Sequence, residues 1–147
     1  MSGEYNFRNL VLWQKAQQLA QEIVTVVAGL PPGPLSAVVG RQLLASATSI
    51  GANVAEGHGR FSVAAHRYHL SIAKGSACET DGWLDLLRRT GHLDVAAEDR
   101  LHQQCLELIR MLTAKILALE RAKAGASTIR ENGPVYDACD YSDDAAP

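Results

Sequence analysis

The stretch Leu12-Trp13-Gln14-Lys15-Ala16-Gln17-Gln18-Leu19-Ala20-Gln21-Glu22-Ile23-Val24-Thr25-Val26-Val27-Ala28-Gly29-Leu30 puts Leu12, Ala16, Leu19, Ile23, Val26 and Leu30 at alternating intervals of four and three. That is the period of one face of an α-helix, and no alternation of period two competes with it. A second set on the same segment, Trp13, Ala20, Val24 and Val27, widens the apolar face beyond what a surface helix of a monomer needs. Gly29 and the cluster Pro31-Pro32-Gly33-Pro34 end the segment, because proline lacks the N–H that a continuing helix requires.

Three further segments show the same period. Ser36 is placed to cap a second helix carrying Val39, Leu43, Ala47, Ile50 and Val54, which closes near Gly57 and Gly59. Ser62 is placed to cap a third, with Ala65, Tyr68, Ile72, Gly75, Glu79, Trp83 and Leu86 in one stripe and Leu70, Ala73, Ala77, Leu84 and Leu87 in the stripe beside it. Gly91 ends that helix, and Asp94 opens a fourth whose buried face is Leu101, Cys105, Leu108, Leu112, Ile116 and Leu119, out to about Lys123. Short connections between long helices force antiparallel neighbours, so the expected architecture is all-α, an antiparallel up-down-up-down four-helix bundle over residues 1–124. Residues 125–147 lose the periodicity and turn to Gly, Asp, Ser and Ala, which reads as a flexible acidic tail.

Composition bounds the rest. At 147 residues, 47% hydrophobic and 20% charged, the chain is long enough to bury a core without disulfide or metal staples. No apolar run reaches the roughly 18 residues needed to cross a bilayer and the N-terminus lacks a signal-like pattern, so the expected compartment is the cytoplasm, with no membrane partner. The formal charge of −2 is uneven: Glu131, Asp137, Asp140, Asp143 and Asp144 crowd the end, leaving 14 basic against 11 acidic side chains in residues 1–130. Cys78, Cys105 and Cys139 form no C-x-x-C pair and read as two core residues and one tail residue.

Two stretches could carry more than packing. In Asn53-Val54-Ala55-Glu56-Gly57-His58-Gly59-Arg60-Phe61-Ser62, Asn53 and Glu56 share a helical face, the glycines permit a tight reversal with positive φ, and Arg60 lies within reach of a carboxylate. The corner reads either as a structural turn pinned by a Glu56–Arg60 pair or as a ligand or nucleic-acid contact where His58, Arg60, His66 and Arg67 gather. In Ser71-Ile72-Ala73-Lys74-Gly75-Ser76-Ala77-Cys78-Glu79, Gly75 and Ser76 weaken a helix unless another helix approaches closely. Glu79 falls on an apolar stripe and calls for a partner among Arg41, Arg60 and Asn53. Asp99-x-x-His102 and His66-x-x-His69 lack the companions of a carboxylate-bridged metal centre, and no nucleophile elbow or phosphate-binding glycine pattern occurs. The reading is therefore a protein with no metal or other cofactor and no enzymatic activity.

Taken in order, Phe7-x-x-Leu10-x-x-Trp13-Gln14-Lys15-Ala16, Asn53-x-Ala55-Glu56-Gly57-x-Gly59-Arg60 and Ile72-Ala73-Lys74-Gly75-Ser76-x-x-Glu79 resemble the bacterial four-helix-bundle proteins related to those encoded in 23S ribosomal RNA intervening sequences. The resemblance implies a bundle assembled into a homopentameric ring, without established enzymatic activity, and a link to RNA. Distantly similar bundles serve retroelements as accessory proteins that bind RNA and a reverse transcriptase. The proline-rich loop Leu30–Leu35 and the acidic tail depart from the family pattern. The functional expectation is an RNA- or nucleoprotein-associated scaffold, with His58, Arg60, His66, Arg67 and Lys74 as phosphate contacts. Asn53, Glu56, Gly57, Gly59, Gly75, Ser76 and Glu79 make up its structural motif. A protein-interaction module without direct nucleic-acid binding is the alternative.

Overall fold

Four helices account for most of residues 6–131, the part of the chain that the computed structural model describes, with side chains for residues 6–125. A short 3-10 turn, Phe7–Asn9, leads into α1 (Val11–Ala28), followed by α2 (Arg41–His58), α3 (Val63–Arg89) and α4 (Val95–Glu131). No strand occurs among the described residues. The helical backbone of α4 continues past Lys123 to Glu131, and the tail beyond it lies outside the described residues.

The termini follow from local chemistry. Asn6 accepts a hydrogen bond from the Arg8 N–H, and Gln14 Nε2 donates to the Arg8 carbonyl at 2.9 Å, tying the opening turn to α1. Phe7 meets Trp13 edge to face, with ring centroids 5.2 Å apart. Ser62 caps α3 through a bond from the Ala65 N–H, and Asp94 caps α4 through one from Ala97. Ser36 is no cap. The helical turn already begins at Pro34, where a missing N–H is harmless, and the Ser36 hydroxyl donates back to the Gly33 carbonyl at 3.1 Å. Residues Ser36–Gly40 then form a wider π-helical turn that sets Gly40 beneath Leu30 and Val27. At the end of α3, Gly91 takes φ +76° and the His92 N–H reaches the Leu87 carbonyl, which satisfies the last turn.

Facing side chains pair in opposite order, so neighbouring helices run antiparallel. Ser46, Ser49 and Asn53 of α2 meet Thr80, Ser76 and His69 of α3. Glu98, His102 and Glu120 of α4 meet Arg88, Asp81 and Arg67 of α3. Arg100 and Gln104 both reach Glu22 of α1, and Glu107 reaches Lys15. Gly51 of α2 lies against Ala16 and Gln17. The core is built from Leu19 and Ile23, Leu43, Ile50 and Val54, Leu70, Leu84 and Leu87, and Leu101, Leu108 and Leu112, all essentially inaccessible to solvent.

Several expectations for α3 are corrected by its orientation. The inward stripe is Leu70, Ala73, Ala77, Leu84 and Leu87; of the neighbouring stripe Tyr68 is 64% and Leu86 37% exposed, while Trp83 is half-buried against the edge of the core. Glu79 is exposed and bonds none of Arg41, Arg60 or Asn53. It accepts instead from Trp83 Nε1 at 3.2 Å, one turn along its own helix. A Cβ on Gly75 would meet nothing within 4 Å, so no helix of this chain approaches it, whereas the adjacent Ser76 is buried against α2. Cys78 is exposed and only Cys105 is in the core, where burial pushes its thiol up to about 12. Cys139 lies outside the described residues.

Two measurements check this arrangement. Leu84→Ala should lower the unfolding free energy by about 2–5 kcal/mol in a denaturant titration, whereas Glu79→Gln should stay within about 0.5 kcal/mol. The second concerns His102, whose pKa is raised above its ordinary 6.5 chiefly by the hydrogen bond to Asp81, 2.6 Å away. The fold binds the imidazolium more tightly than the unfolded chain does. The stabilisation is therefore complete below about pH 6.5 and is lost as pH rises through the folded-state value. The stability gap between the natural chain and Asp81→Asn should accordingly shrink between about pH 6 and pH 9; a gap independent of pH would remove the ion pair from the account.

Candidate functional site

The end of the bundle where α2 turns into α3 collects most of the residues singled out in the sequence. Its geometry depends on a polar seam between these two helices. Thr80 Oγ1 donates to Ser46 Oγ at 2.9 Å, Ser76 Oγ to Ser49 Oγ at 3.0 Å, and Asn53 Nδ2 to Ser49 Oγ at 3.1 Å. The Asn53 Oδ1 lies 3.1 Å from His69 Nδ1, which makes that nitrogen the donor and fixes the tautomer. Small side chains allow close approach, and mutual hydrogen bonding removes the penalty of burying hydroxyls.

Gly57 completes the seam. It is buried inside the last turn of α2, and a Cβ there would come within 3.1 Å of His66 Cδ2 and His69 Cβ and 3.2 Å of the His66 carbonyl oxygen. Neither Gly57 nor Gly59 adopts the positive φ expected of a tight reversal; among the described residues only Gly33 and Gly91 do. Gly57 is required by proximity, because the α3 backbone passes where a side chain would stand. Glu56 and Arg60 form the anticipated i,i+4 pair on the exposed outer side of the corner. Such a pair contributes little stability but neutralises the guanidinium locally.

The five basic residues expected to contact phosphate, four of them expected to gather at the corner, are separated into three environments. His58 and His66 line a cavity of about 270 Å³ between the start of α1 and the facing helices, with Leu10, Val54, Leu70 and Met111 among its walls. Arg60 stands apart with Glu56. Arg67 and Lys74 line a separate groove of about 510 Å³ between α3 and α4, together with Tyr68 and Glu120, and Arg67 Nη2 bonds Glu120 Oε1 at 2.8 Å.

Sequence reasoning missed Lys115, the third basic group of the cavity. Its signal was faint but present: it follows Met111 by four residues, so both project from one face of α4. His66 is held below its ordinary pKa by burial first, then by the positive charge of Lys115 and by His58. His58 Nε2 is buried without a hydrogen-bond partner. Among the described residues no group of three or more His, Cys, Asp and Glu could hold a metal ion. Nor is any described helix long and apolar enough to cross a membrane.

Comparison with known proteins fits this architecture. A solved structure described as a protein with unknown function from the S23 ribosomal protein family of Bacteroides thetaiotaomicron is 31% identical; the match covers 72% of this chain and 98% of that one, with a TM-score of 0.66. No curated protein matches the sequence. The model of the family described as 23S rRNA-intervening sequence protein matches residues 8–114, from the turn before α1 to the part of α4 that carries Leu112. On the strength of that match, which spans well over half of its length, the chain belongs to the 23S rRNA-intervening sequence protein family.

Proposed function

We propose that this chain is a non-catalytic helical scaffold of the cytoplasm that assembles with copies of itself, five to a ring, and associates with RNA. The observation that carries the RNA reading is the α3–α4 groove, where Tyr68 stands 64% exposed with Arg67 and Lys74 beside it. A solvent-facing ring flanked by cations suits single-stranded nucleic acid, since every base offers a face to stack on and every phosphate a charge to neutralise. The family name, 23S rRNA-intervening sequence protein, points the same way. Arg60 and Arg67 are each held by a carboxylate of this chain, which leaves Lys74 and the tyrosine with the larger share of the binding.

Self-assembly is supported by the outer face of α3. Gly75 and Gly82, seven residues apart, both lie open, and Leu86 adds exposed apolar surface between the same helix and solvent. Glycines on an unpartnered face let a second helix approach closely, and repetition around an axis multiplies the field of modestly basic protomers. A second reading, docking of a partner protein, is favoured by Phe61, which is fully exposed at the α2–α3 corner beside the 40% exposed Val63.

Binding to a labelled single-stranded fragment of 23S rRNA should weaken steeply with salt. Lys74→Glu and Tyr68→Ala should each lower the affinity at least tenfold, and the lysine change should reduce the salt slope by about 0.7. Affinity unchanged in both variants would overturn the assignment of the groove. Native mass measurement should give the mass of five chains, and Gly75→Trp should break the assembly down while leaving the helical content intact. A monomer for the natural chain would end the ring reading.

A further inference from the structure

We propose that the cavity at the α1 end of the bundle is a binding site for a small organic acid with an apolar body, such as an arylacetate, whose carboxylate is held by Lys115, His58 and His66. The proposal does not depend on the RNA reading, which concerns the other groove of α3. It rests on three observations that point to the same ligand chemistry.

The walls are supplied largely by aliphatic and thioether side chains, among them Leu10, Leu12, Val54, Leu70 and Met111. An apolar cavity of about 150 Å³ accommodates benzene, so the 270 Å³ here has room for an aromatic ring and a short acid arm. A sugar-phosphate chain would leave such walls against hydrated groups, which argues against a phosphodiester.

The polar lining is one-sided. Every titratable side chain at the cavity is basic: His58 from α2, His66 from α3 and Lys115 from α4, with no carboxylate in the lining. The stretch Leu10–Leu12 adds aliphatic groups only. Lys115, exposed at the rim of the cavity, takes part in none of the ion pairs among the described residues.

His58 Nε2 is inaccessible to solvent and has no partner, an arrangement that leaves a buried polar atom unsatisfied until something bonds to it. A carboxylate accepts from an imidazole N–H and from an ammonium at once, and so answers both this atom and the uncompensated lysine. The pKa of His66 is lowered by burial first, and the positive charges of Lys115 and His58 add to that in the same direction. A bound anion counters the two electrostatic causes, the charges of Lys115 and His58, and so shifts His66 towards its protonated form.

The full-length protein should bind phenylacetate in an isothermal titration, with phenylacetamide at least tenfold weaker and inorganic phosphate without detectable heat. Affinity should rise as pH falls from about 8 to 6, and the His66 ring resonances should titrate at higher pH in the presence of phenylacetate. Lys115→Met should lower affinity for the acid at least tenfold, bringing it near that of the amide, with an unchanged thermal unfolding midpoint. Met111→Trp, which fills the cavity and leaves all three basic groups, should abolish binding. Equal affinity for acid and amide, or binding that survives both substitutions, would overturn the proposal, as would the absence of any phenylacetate binding by the natural chain.

Discussion

The contact between α2 and α3 sets the terms for everything else in this molecule. Two helices can approach this closely only where side chains are small, and small side chains that are also polar can be buried only when they bond one another. Ser46, Ser49, Asn53 and Gly57 on one helix and His69, Ser76 and Thr80 on the other meet both conditions. The hydrogen bonds fix the register that an all-aliphatic interface of the same size would leave free to slide. From that register follow the inward direction of Leu70, Leu84 and Leu87 and the placing of His58 and His66 at one mouth.

The same constraint explains why α3 has two different faces. Its inner stripe is committed to the core, so Gly75, Glu79 and Leu86 of its outer stripe are left open to solvent and Tyr68 lines the groove beside α4. Basic residues are divided accordingly. Those on the flanks of α3 lie in a wet groove opposite Glu120, where charge is screened and partly neutralised. Those at the bundle end lie beside aliphatic walls, where the half-buried imidazoles of His58 and His66 have less water around them than the exposed Lys115.

Much of the fold was legible in the residues. The four helical periods, the proline stop after Leu30, the Ser62 and Asp94 caps and the α4 face from Leu101 to Leu112 all appear as expected, because periodicity and capping depend on neighbours three or four residues away. The residues leave open which of the two apolar stripes on α3 faces the core. Ala65, Tyr68, Ile72, Gly75, Glu79, Trp83 and Leu86 are nearly as regular as the true core stripe, and local spacing cannot rank two faces of one helix. Cys78, expected in the core from the usual burial of free cysteine, is exposed. The glycines of the corner were assigned to a turn on residue type alone, whereas Gly57 answers to a backbone from another helix.

The amino-acid sequence by itself determined the number and amphipathic character of the helices and several of their ends, since these follow from interactions that close within one or two turns of chain. Only the tertiary structure decided which stripe of α3 faces inward, that Glu79 bonds Trp83, and that Lys115 joins two histidines from other helices around one cavity. Those outcomes depend on the rotation of each helix against its neighbours. That rotation is settled by the collective fit of side chains far apart in the chain, which no spacing within a single helix encodes.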